Sequence, residues 1–217
     1  MHPFIIEPRE LGLLQSHPDV RVIDLCRDEN YHHGHIAGAI HVTPAELISG
    51  VRPAVGALPS IDRLAALFSR IGYSPDLHFV AYDDEGGGWA GRFLWTLDMI
   101  GHQEKSYLNG GLIAWTGEDF AVTPEVVTPT PTRVELTIDP TWRATMGQVL
   151  ESLNDDNTVV WDARSADEYS GARRASARGG HIPGAINFDW QHVMDPHNHL
   201  KIRADIAAAL ASQGITP

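Results

Sequence analysis

The feature that most constrains the fold is that the chain repeats itself at long period. One stretch reads Val22-Ile23-Asp24-Leu25-Cys26-Arg27, then Tyr31, then Gly34-His35-Ile36-Ala37-Gly38-Ala39-Ile40. A second reads Val160-Trp161-Asp162-Ala163-Arg164, then Tyr169, then Gly180-His181-Ile182-Pro183-Gly184-Ala185-Ile186. In both, the Tyr follows the Asp by seven residues; the second copy then inserts eight extra residues, among them Arg173, Arg174 and Arg178. Ordered agreement over so many positions is the mark of two copies of one domain. A chain of 217 residues has room for two domains of about 100–120 residues.

Between the copies, Thr123-Pro124-Glu125-Val126-Val127-Thr128-Pro129-Thr130-Pro131-Thr132 places three prolines in eight residues. Such a stretch neither continues a helix nor sits in a central strand. The expected organisation is a first domain over 1–122, a linker over 123–133 and the N-terminal part of a second domain over 134–217. Within each copy, short β-rich runs alternate with helical patterns, which predicts an α/β fold with a parallel sheet flanked by helices. Val20–Leu25, Leu77–Tyr82 and Lys105–Leu108 are expected strands, and Val159–Trp161 an expected buried strand. Ile61, Leu64, Ala65, Phe68 and Ile71 predict a helix behind the N-cap Ser60. Ile202, Ile206, Ala209 and Leu210 predict its counterpart. Trp89–Ile100 reads as a helix closed by Gly101, and Gly110–Trp115 as a short helical turn. The six tryptophans read as packing residues.

Composition excludes several classes. A net charge of −12 leaves no basic face for nucleic acid. No apolar run approaches the roughly 18 residues a membrane span needs. The N-terminus has no signal-like pattern, so a cytoplasmic location is expected. The one cysteine, Cys26, allows neither an intrachain disulfide nor a multi-cysteine metal site. It stands where copy two has Arg164, at the end of a buried strand, and reads as an inert thiol. His35 and His181 are repeat positions that read as loop-fixing hydrogen-bond donors rather than metal ligands. Gly86, Gly88 and Gly91 spell the G-x-G-x-x-G of dinucleotide sites. Asp83, Asp84 and Glu85 beside them put negative charge where a pyrophosphate would lie, and no cofactor is expected.

The block from Asp162 to Ala185, its echo from Asp24, and Tyr107-Leu108-Asn109-Gly110-Gly111 with Trp115 resemble the rhodanese family. The likeness is to its two-domain members, the thiosulfate and 3-mercaptopyruvate sulfurtransferases, and runs from about Arg21 to the last residue. It implies two rhodanese-like domains, the first catalytically degenerate and the second normally catalytic. It also implies a nucleophilic cysteine in a strand-to-helix loop, with Asp83 in the first copy standing at that cysteine's position. The activity implied moves sulfane sulfur from thiosulfate or 3-mercaptopyruvate to a thiophilic acceptor such as cyanide, through a cysteine persulfide. The partners are then a small anionic sulfur donor and that acceptor. Arg164 matches the family's Asp-x-Arg arginine and is the expected donor-binding residue, through paired N–H groups in planar geometry.

Copy one runs on from Pro75 to about Val122, whereas the equivalent of Pro75 in copy two is Pro217. By this comparison the second domain lacks roughly 50 residues. The nucleophile is expected beyond Pro217, and the chain alone is expected to be inactive, unless a separate segment completes it. The rival expectation is a non-catalytic rhodanese-like binding or scaffold protein.

Overall fold

The computed structural model describes residues 2–174 and 176–216. Met1 and Pro217, the outer bounds of the two expected domains, lie outside the described residues. The chain divides into two compact units, one of Met1–Trp142 with His197–Lys201, the other of Arg143–Pro196 with Ile202–Pro217.

The first unit is built on a parallel sheet of β1 (Ile5–Ile6), β2 (Val20–Asp24), β3 (Ile40–His41), β4 (His78–Tyr82) and β5 (Lys105–Leu108), in the order β1-β5-β4-β2-β3. β4 is central. It pairs with β2 from Val20↔His78 to Asp24↔Tyr82, and with β5 from Phe79↔Lys105 to Ala81↔Tyr107. All five of its residues are buried, which is why His-Phe-Val-Ala-Tyr reads as a nearly continuous apolar run rather than an alternating one.

Helices α1 (Pro8–Leu14), α2 (Asp28–His33), α3 (Ile61–Arg70), α4 (Gly88–Met99) and α5 (Gly111–Gly117) cover the sheet. Helix α3 starts as expected, with the Ser60 hydroxyl accepting from Arg63 N–H at 3.4 Å. It buries Leu64, Leu67 and Phe68, three positions on one helical stripe. Helix α4 turns Phe93, Leu94, Leu97 and Met99 inward.

Residues 123–133 carry no helix or strand, yet their backbone groups find partners along this unit. Thr123 bridges His35 and Thr132 N–H donates to Ser69 O at 3.1 Å. Farther on, Asp139 N–H donates to Met99 O at 2.7 Å. The unit also includes His197–Lys201, where Lys201 Nζ donates to Glu7 Oε2 at 2.6 Å and to Glu118.

The second unit holds α6 (Met146–Ser152), β6 (Trp161–Asp162), α7 (Ala166–Ser170), β7 (Ile186–Asn187) and α8 (Ile206–Ser212). β6 and β7 run parallel, with Trp161↔Ile186 and Asp162↔Asn187 in register. Here two expectations need correction. The strand expected at Val159–Trp161 is Trp161–Asp162, and it is not buried: Val159 is 44% and Trp161 38% exposed. The cause is its pairing, since β2 is flanked on both sides whereas β6 has only β7 among the described strands. Helix α8 begins at Ile206 rather than Ile202, because Arg203 N–H is drawn sideways to Val193 O at 2.9 Å. Of the tryptophans, Trp115 is fully enclosed, whereas Trp142 is 49% exposed.

The packing of α3 gives a direct test. Phe68 is completely buried, and Phe68→Ala is expected to destabilise the first unit by about 3–5 kcal/mol, read from urea denaturation followed by near-UV circular dichroism.

Candidate functional site

The two Asp-led turns fold alike at the level of single bonds. In the first copy Asp24 Oδ1 accepts from Cys26 N–H at 2.8 Å; in the second Asp162 Oδ1 accepts from Arg164 N–H at 3.1 Å. Tyr31 and Tyr169 donate their hydroxyls to Ala39 O and Ala185 O. His35 and His181 donate through Nδ1 to Tyr31 O and Tyr169 O, at 2.8 and 2.9 Å. Each His stacks on its Tyr, with ring centroids 3.8 and 3.6 Å apart. The histidines therefore fix the Gly-His-Ile loop against the preceding helix, which is the role their repeat positions suggested.

The turns differ in what they present. Arg164 lines a concave pocket of about 700 Å³ with Asp162, Arg178, Gly180, His181 and Ile182 among its walls. Arg178 reaches this pocket; Arg173 and Arg174 are not part of its lining. Within it the Arg164 guanidinium is already engaged. Nε donates to Asp162 Oδ1 at 2.9 Å, and Nη2 donates to Asp162 Oδ2 at 2.6 Å and to Gly180 O at 3.0 Å. The paired guanidinium holds the Asp162 carboxyl below its usual range, as a charge-assisted bidentate contact does.

In the first unit the loop after β4 is organised around Asp83, a fully buried carboxylate. Its Oδ1 accepts from the N–H groups of Glu85, Gly86 and Gly87 at 3.1, 3.1 and 2.8 Å. Its Oδ2 accepts from Trp89 and Ala90 N–H, both at 3.0 Å. The last two lie in the first turn of α4, whose positive end also favours a negative charge. Gly86 and Gly87 sit at φ 100° and 106°, in the left-handed region that closes such a ring of amides cheaply for glycine alone. The amides that a dinucleotide pyrophosphate would need are thus filled by the protein's own side chain, and the G-x-G-x-x-G is a turn around Asp83.

Comparison with known proteins agrees with this architecture. The rhodanese-like domain model matches residues 7–118 and 145–213. The chain belongs to the rhodanese family. The thiosulfate sulfurtransferases of Azotobacter vinelandii and Pseudomonas aeruginosa are each 45% identical over 215 residues, covering 99% of this chain and 79% of the relative. The crystal structure of a 3-mercaptopyruvate sulfotransferase from Escherichia coli superposes with a TM-score of 0.86 at 24% identity, over 99% of this chain and 85% of that one.

In this rhodanese chain Cys26 is fully enclosed at the end of β2. Burial, with the Asp24 and Asp84 carboxylates nearby, pushes its thiol pKa well up, the opposite of what a sulfur nucleophile needs. Among the described residues no group of three or more His, Cys, Asp or Glu is placed to hold a metal ion, and no helix is long and apolar enough to cross a membrane.

Reading the sequence missed Gly180 O as a partner of Arg164, because a carbonyl leaves no trace in residue type. It also missed Asn187, whose side chain bonds the Arg164 turn, because the matching residue in the first copy is His41.

Two outcomes follow from this geometry. Asp83→Ala strips the partner from five amides and is expected to cost the first unit at least about 3 kcal/mol, measured by chemical denaturation. Cys26 is expected to resist iodoacetamide at pH 8 in the native protein and to react fully in guanidinium chloride; rapid native alkylation would contradict its enclosure.

Proposed function

We propose that this rhodanese protein is a sulfurtransferase moving sulfane sulfur from a small anionic donor, thiosulfate or 3-mercaptopyruvate, to a thiophilic acceptor such as cyanide. A cysteine thiolate attacks the outer sulfur of thiosulfate, the donor S–S bond breaks, and sulfite leaves with the bonding pair. The resulting persulfide gives its outer sulfur to cyanide, forming thiocyanate and restoring the thiolate. The observation that carries the reading is the Arg164 pocket of the second unit, a concavity with two arginines, Arg164 and Arg178, in its lining. The names of the 45% identical relatives favour thiosulfate over mercaptopyruvate as the donor.

In this reading Arg164 holds the donor anion. Cys26 is not the sulfur carrier, because an enclosed thiol with a raised pKa offers no thiolate. The nucleophile lies outside these 217 residues, which by themselves carry no persulfide. The first unit, with Asp83 filling its amide ring, is a structural partner and not a second catalytic centre. A non-catalytic binding role is the second reading, and what favours it is the Asp162 carboxylate already seated on the Arg164 guanidinium.

The test is thiocyanate formation from thiosulfate and cyanide. The full chain, with whatever residues follow Pro217, is expected to form thiocyanate. Arg164→Ala is expected to raise its KM for thiosulfate about 10- to 100-fold, the loss of a charge-assisted contact. Cys26→Ser is expected to leave the rate unchanged. A rate abolished by Cys26→Ser would overturn the assignment of the nucleophile, and a folded full chain with no activity on either donor would favour the binding role.

A further inference from the structure

The two repeats hold their Asp-led turns with different numbers of bonds, and the difference falls on the copy that carries the arginine. In the second unit all three carbonyls of Asp162-Ala163-Arg164 are engaged by the segment that follows Ala185. Asp162 O accepts from Phe188 N–H at 3.2 Å and from the Asn187 side-chain amide at 2.9 Å. Ala163 O accepts from Trp190 N–H at 2.9 Å. Arg164 O accepts the second hydrogen of the same Asn187 amide at 2.8 Å.

In the first unit only one of these bonds recurs, Val42 N–H to Asp24 O at 2.9 Å. The residue matching Asn187 is His41, whose ring turns to carboxylates instead, Asp28 at 2.8 Å and Asp24 at 3.4 Å. The residue matching Trp190 is Pro44, which has no N–H to give. Where the turn ends in the enclosed Cys26 it is held loosely from this side; where it ends in Arg164 it is held at every carbonyl.

Geometry gives this bracing a purpose. Three of the five guanidinium N–H donors of Arg164 are committed to Asp162 and Gly180 O. Only the two on Nη1 are without a hydrogen bond among the described residues. An arginine that grips an anion by one edge depends on the aim of that edge, since a misplacement of about 1 Å can cost a hundredfold. Aim is set by the backbone from which the side chain springs and by the carboxylate that clamps it, and both belong to the braced turn.

We propose that Asn187 is a positioning residue for Arg164, its amide spanning Asp162 O and Arg164 O so that the Nη1 edge is presented to the anionic sulfur donor. The proposal rests on the donor-binding role of Arg164 given above. Asn187→Asp is the sharpest probe: it keeps the shape and replaces the donating NH₂ by an oxygen facing two carbonyl oxygens.

In the full chain, Asn187→Asp is expected to raise KM for thiosulfate about 10-fold, roughly the worth of two neutral hydrogen bonds, with kcat changed less than 3-fold and the KM for cyanide unmoved. Asn187→Ser, which retains one donor at a smaller side chain, serves as the second variant and is expected to fall between the two. The deciding readout is the double-mutant cycle with Arg164→Ala. Asn187 acting through Arg164 has no further effect on KM once Arg164 is gone. Equal effects of the Asn187 variants with and without Arg164, or no effect of either variant on KM, would overturn the proposal. If Arg164→Ala itself leaves KM unchanged, the donor-binding reading fails first and the proposal falls with it.

Discussion

The first unit is organised by one buried carboxylate. Asp83 leaves the end of the central strand, and its two oxygens gather five backbone N–H groups. Its own carbonyl accepts from Leu112 N–H in the first turn of α5 at 2.9 Å. A single residue thereby fixes the end of β4, the start of α4 and the start of α5. An ionised group without water is costly unless every lone pair is satisfied, and here the amides do what solvent would. A ring of amides of this kind favours an anionic group, and in this copy the position is taken by the protein's own Asp83 side chain.

The second constraint acts through the repeat. One sequence block folds twice into the same turn, with the Asp accepting the amide two residues on and the His stacked on the Tyr. From that shared frame the copies diverge by few substitutions. Cys26 stands for Arg164, His41 for Asn187 and Pro44 for Trp190, so the first turn lacks both the arginine and two of the braces, while its enclosure comes from the strands on either side of β2. The chemistry of the two units therefore differs less in fold than in which side chain the turn carries and how firmly it is held.

Much of this was legible from residues alone. The repeat implied two domains of one kind, and β5 fell on Lys105–Leu108 as its pattern suggested. Ser60 caps α3, and His35 and His181 hold their loops. Asp83 was placed at the nucleophile position only through family resemblance, and its five bonds depend on glycine conformations that a residue list does not state. The exposed β6 could not be read from Val-Trp-Asp, because burial of a strand is set by its neighbours and not by its own residues. The Asn187 brace was hidden for a different reason: a repeat marks positions where the copies agree, and this residue works where they differ, opposite His41.

The central claim is that sulfur chemistry does not belong to the first unit, whose only thiol is enclosed and whose amide ring is filled. The most direct measurement is the intact mass of the 217-residue chain after incubation with thiosulfate and removal of excess donor. The account predicts an unchanged mass, with all of Cys26 recovered as free thiol on denaturation. A species heavier by one sulfur atom, located at Cys26 by fragmentation, would contradict it.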